Sequence, residues 1–125
     1  MATLKIYDSI ADEKPSKEFV CLRTTMQINN KLEELTDEVN ELDKEVKNQM
    51  ALITKDTSSE ELEKIKANIK DIEEKMTNNT LKIIRLFFPN FTDDDFLKLD
   101  PYDYQTFIIE VGELRNNIYN RAAKN

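Results

Sequence analysis

The sequence predicts a mainly α fold: a short N-terminal β-hairpin, then a long antiparallel helical hairpin, then a C-terminal helical segment. Three observations predict it. "TLKIYDSI" alternates in polarity and "EFVCLRT" is β-branched and aromatic, as strands require. Apolar residues then recur with a heptad period on both sides of a polar break, "TKDTSS". The 125-residue chain also holds one Gly and three Pro, and 34% of it is charged, a helix-forming composition. Residues 1–125 read as a single domain, with 1–24 the β-hairpin, 25–89 the helical hairpin and 90–125 the C-terminal helices.

In the first segment Leu4 and Ile6 share one face and Lys5 and Tyr7 the other. "ADEKPSK" supplies a Pro and turn formers between the strands. A lone hairpin is marginal in water, so it must pack on something.

From Met26 the period changes. Ile28, Leu32, Leu35, Val39, Leu42, Val46 and Ile53 form one stripe, interrupted at Gln49. Ser58 and Glu61 have the spacing of a capping box and start a second helix. Its stripe is Leu62, Ile65, Ile69, Ile72, Met76, Ile83 and Leu86, with Asn79 as the polar member. Two such helices joined by a short link fold back on each other. Leu35, Val39, Leu42, Ile65, Ile69 and Ile72 are expected to form the buried seam. At 1.5 Å per residue each helix is about 40 Å long, so the tip is expected to project beyond the core.

The stretch "LFFPNFTDDDFLKLDPYDY" is a corner in two steps. Pro89 disfavours a helical residue ahead of it. Thr92 with Asp95 makes a new N-cap, and Asp100, Pro101 and Asp103 make another as N-cap, N1 and N3. The aspartates are therefore helix starts, placed where carboxylates meet the positive end of the helix dipole. Phe91 and Phe96 flank the first cap as a hydrophobic staple. The last helix places Tyr104, Phe107, Ile108, Val111, Leu114 and Ile118 on one face, interrupted by Gly112.

Several functions are disfavoured. A net charge of −7 is wrong for nucleic acid and for an anionic membrane surface. No run approaches a membrane span, and "MATLKIYDSIADEK" has no signal-peptide core. Cys21 is the single cysteine, so no disulfide framework exists, and among Val20 and Leu22 it reads as a small buried hydrophobe. Asp93, Asp95 and Asp100 only crudely suggest calcium, since Lys98 stands where an EF-hand loop needs Gly. There is no His and no Gly-rich phosphate loop. We therefore expect no catalytic residue, no metal and no cofactor, that is, a non-enzymatic protein.

The order of "LKIYDSI", "KEFVCLRTT", an acidic helical middle and "IIRLFFPNFTDDDFLKLDPYDYQTFIIEVGEL" resembles the tail assembly chaperones of long-tailed bacteriophages and prophages. The resemblance is a pattern of residue types that covers the ends better than the middle. It implies a small acidic protein of the bacterial host cytoplasm that binds the tape-measure protein, tail-tube subunits or both. No functional residue of that family can be carried over one by one. From the residues themselves, Phe88, Tyr102, Tyr104 and Phe107 of the aromatic corner are the expected partner contacts, with Phe88 and Tyr102 expected to be exposed. A second class stays open: an acidic coiled-coil adaptor or regulatory protein for a globular partner. A homo-oligomer through the helical seam stays open too.

Overall fold

A computed structural model of the chain describes residues 1–124, and the side chains of residues 1–116. The fold is mainly helical behind an N-terminal hairpin. Strands β1 (Ala2–Ile6) and β2 (Lys17–Cys21) are followed by helices α1 (Met26–Ala51), α2 (Ser59–Phe87), α3 (Asp93–Leu97) and α4 (Pro101–Lys124). The side chain of Ile118, assigned above to the apolar face of α4, lies outside the described residues. The chain divides into two compact units, Met1–Lys31 with Ile84–Asn125, and Leu32–Ile83.

In the first unit β1 and β2 pair antiparallel, with Ala2 opposite Cys21 and Ile6 opposite Lys17. The alternation in β1 becomes a core face: Ala2, Leu4 and Ile6 are buried and Lys5 is exposed. Strand β1 packs on α4. The core is completed by Phe19, Ile84, Phe88, Phe91, Phe107, Val111 and Leu114. The ring centroids of Phe19 lie 5.3 Å from both Phe88 and Phe91. Phe107 lies 5.5 Å from Phe87 and from Phe88. These are tilted or edge-on pairs, the orientations the aromatic quadrupole favours. Gly112 has open space around it, with nothing within 4 Å of where a Cβ would stand, so no close backbone approach explains it.

The second unit is an antiparallel helical hairpin. Two side-chain pairs fix its register: Asn68 donates to Gln49 at 3.3 Å, and Asn79 donates to Glu38 at 3.0 Å. From Gln49 back to Glu38 is eleven residues, and from Asn68 forward to Asn79 is also eleven, so the register does not slip. Eleven residues is close to three whole turns, which returns both helices to the same face. Each polar member of the stripes thus finds a partner at its own height. Of the expected seam, Leu35, Ile65 and Ile72 are buried and Val39, Leu42 and Ile69 are half-buried.

The first stripe ends sooner than its period suggests. Helix α1 stops at Ala51, so Ile53 lies beyond it and is 43% exposed. The chain tightens there into three-residue turns, with Leu52 N–H on the Gln49 carbonyl and Ile53 N–H on Met50. Thr57 then closes the link by accepting from the Thr54 N–H at 2.8 Å. Ser58 caps α2, its hydroxyl accepting from the Glu61 N–H at 3.1 Å.

Candidate protein-binding surface

The corner between α2 and α4 is built from local rules and then locked by side chains of the first unit. Helix α2 ends at Phe87, before Pro89. Arg85 clamps the turn: its Nε donates to the Phe91 carbonyl at 2.9 Å and its Nη2 to Asp93 at 2.9 Å. Thr92 and Asp95 form the full capping box, each side chain accepting the other's backbone N–H at 3.0 Å. Asp100 caps α4, its carboxylate accepting from the Tyr102 N–H at 2.8 Å. The aspartates are therefore helix starts, and among the described residues no three His, Cys, Asp or Glu side chains converge as a metal would require.

Asp95 carries more than its cap. Its carboxylate is only 2% exposed and receives the Lys17 ammonium at 2.9 Å, tying β2 to α3. Burial pushes this carboxyl up, but Lys17 and the Thr92 donors outweigh burial and hold it below its ordinary value. A folded-state pKa below the unfolded one means stability that is present above the unfolded value and lost as pH falls through the folded one. Asp95→Ala is expected to cost about 2 kcal/mol at neutral pH, combining a lost cap with a lost charge-assisted bond to a half-exposed lysine. In urea titrations the gap between parent and variant should shrink below pH 3.8, the ordinary carboxyl value. A gap that stays constant down to pH 2.5, about one unit lower, would show that the charge contributes nothing.

The four expected contact residues do not share one environment. Tyr102 is 74% exposed, as expected. Tyr104 is half-buried, and burial raises its phenol. Phe107 is wholly buried. Phe88 is buried at 5% exposure, contrary to the expectation that it faces solvent. The reason is local: its N–H still bonds the Ile84 carbonyl at 2.9 Å, so the residue after α2 keeps the helical direction. Its ring is thereby sent onto Phe19 and Phe107. Phe88 and Phe107 are core, and only Tyr102 is left fully accessible. Cys21 also departs from expectation, being half-buried rather than buried; its thiol lies 3.0 Å from the Arg23 carbonyl, and burial pushes its pKa up.

The accessible feature of the corner is a cleft of about 760 Å³ between the β1–β2 loop and the α3–α4 turn. Tyr7, Ile10, Leu97, Leu99 and Pro101 supply its apolar lining. Asp8, Asp12, Glu13, Asp100 and Asp103 supply carboxylates, against one lining cation, Lys98. Lys98 is itself held between Asp8 and Asp94, each at 3.2 Å. Those two carboxylates raise its pKa, and the Lys98 hydrogen bond lowers that of Asp8. Asp103 is shifted the other way, by burial and then by the neighbouring Asp100 charge. The cleft is therefore net acidic, and Ile10 (108% exposed), Leu97 (84%) and Tyr102 stand at it or beside it.

Ile10 and Leu97 were missed as candidates in the sequence. Ile10 was read as the end of the strand segment "TLKIYDSI", but β1 stops at Ile6 and leaves Ile10 in the connecting loop. Leu97 had no signal, because only the short α3 decides that Phe96 turns inward and Leu97 outward. The chain matches no family model, no curated protein and no solved structure.

Proposed function

We propose that this chain is a non-enzymatic chaperone of the phage tail assembly type, binding the tape-measure protein, tail-tube subunits or both. The observation that carries a binding role is the acid-lined cleft with Ile10, Leu97 and Tyr102 exposed around it. Large apolar side chains exposed to water around a polar cleft are the makings of a protein-recognition surface. The net charge of −7 favours a protein partner over nucleic acid and keeps copies of the chaperone apart. No helix among the described residues is long and apolar enough to cross a membrane. The choice of client rests on the resemblance in "IIRLFFPNFTDDDFLKLDPYDYQTFIIEVGEL".

The test uses Leu97→Asp and Tyr102→Ala, both at exposed positions, co-expressed with a tape-measure fragment. Each variant should keep its melting behaviour, within about 0.5 kcal/mol of the parent. Each should leave the fragment insoluble where the parent keeps it in solution. Full solubilisation by both variants would remove the cleft from the reading. A stable stoichiometric complex with a globular protein, and none with the fragment, would favour an adaptor instead.

A further inference from the structure

Every two-stranded sheet has two outer edges, and here they are treated differently. On β1 the outward N–H of Thr3 donates to the Glu110 carboxylate of α4 at 3.4 Å, and α4 packs along that strand. Since Thr3 points outward, its partner Val20 and the next alternate residue Glu18 also point their N–H and C=O groups away from β1. Those groups have no hydrogen-bond partner among the described residues. The side chains there are open as well: Glu18 is exposed, Val20 is 46% exposed and Leu22 73%. An edge of this kind is a template for one more strand.

We propose that the outer edge of β2 takes up an extended segment of a partner protein, running antiparallel, with an apolar residue opposite Val20 and a Lys or Arg opposite Glu18. The pairing follows from the sheet. An added strand bonds to the outward groups of Glu18 and Val20, so its residues opposite them lie on the solvent face, in line with Lys5 and Thr3. A cation opposite Glu18 completes a Lys5–Glu18–cation row, and a branched apolar residue covers the exposed Val20. In an antiparallel strand the residue facing Val20 comes two places before the one facing Glu18, which reads as apolar–x–basic.

A second copy of this chain fits less well. Outward residues must meet outward residues, so Glu18 would face Glu18, Val20 or Leu22 of the copy. The first register opposes two carboxylates, and the third runs past Cys21, where β2 ends. The middle register offers no opposite charge, and each copy carries −7. The partner is therefore a different, basic segment. This surface is separate from the acidic cleft and does not depend on it.

The probe is a fluorescein-labelled, end-blocked peptide, Thr-Val-Thr-Lys-Thr, with Thr-Val-Thr-Glu-Thr as its counterpart, titrated with the full chain by anisotropy. The Lys peptide should saturate and bind about fivefold tighter than the Glu peptide, the scale of a cross-strand charge pair gained against one opposed. Glu18→Lys, an exposed change, should reverse that preference. Val20→Pro removes an N–H that β1 does not use, so it should abolish binding with the helical signal retained. Leu97→Asp should bind as the parent does, which separates this edge from the cleft. Absence of saturation by either peptide, equal binding of both, or a preference unmoved by Glu18→Lys would overturn the proposal. So would concentration-dependent dimers that Val20→Pro dissolves, since the occupant would then be a second copy.

Discussion

Phe107→Ala should destabilise the first unit by about 3–5 kcal/mol, the range for truncating a buried aromatic ring. Phe107 is fully buried and its ring meets both Phe87 and Phe88 at 5.5 Å. Through Phe88 it is one step from Phe19, and through Phe19 one step from Phe91. Removing it leaves a void at the centre of a chain of rings that joins β2, the end of α2, the corner and α4. Relaxation into that void is restricted, because Arg85 holds the corner backbone and Asp95 holds Lys17 of β2. Since small domains are stable by only about 5–15 kcal/mol, the variant should sit close to its unfolding transition at room temperature. Urea denaturation read by tyrosine fluorescence gives the number, with Tyr102→Ala as the exposed control within about 0.5 kcal/mol of the parent. A cost below about 1 kcal/mol for Phe107→Ala would mean that the aromatic cluster is not the core described here.

Ile72→Asp should cost about 4 kcal/mol in the second unit, adding a desolvated carboxylate to the loss of a buried aliphatic side chain. Ile72 is 8% exposed in the middle of the α2 stripe. The register set by Gln49–Asn68 and Glu38–Asn79 places it at the level of Glu45, next to Val46, on α1. The side chains that face it along the helix are Asn68, Ile69, Lys75 and Met76, and the single cation among them, Lys75, already pairs with Asp71 at 3.7 Å. The expected result is loss of helical circular dichroism at lower temperature than the parent. Ile72→Val, which keeps shape and polarity, should cost only about 1 kcal/mol. Equal melting of the parent and the Asp variant would show that this stripe is not a seam.

Much of the architecture was legible because its causes are local. The strand alternation at Leu4 and Ile6, the heptad stripes, the Thr92–Asp95 box and the Asp100–Pro101 start each depend on residues within one or two turns of each other. The register of the helical hairpin was half legible. Gln49 and Asn79 stood out as the polar members of their stripes, but their partners, Asn68 and Glu38, lie nineteen and forty-one residues away along the chain. The end of α1 was misjudged at Ile53, because a period continues on paper after the backbone has tightened into three-residue turns.

The sequence by itself determined that the chain is a β-hairpin followed by helices, where each helix starts, and that the aspartates of the corner serve those starts. It also determined the acidic balance, a net charge of −7. Only the tertiary structure decided which aromatics are free. Tyr102 and Phe107 stand five residues apart on α4, about 140° around the helix, so packing one against β1 and α2 leaves the other in water. It also decided that Phe88 is core, that Ile10 and Leu97 meet at one acid-lined cleft, and that α4 covers β1 and leaves the edge of β2 open. Local propensity fixes the direction of a side chain relative to its own helix or strand; what stands in that direction is supplied by segments distant in sequence.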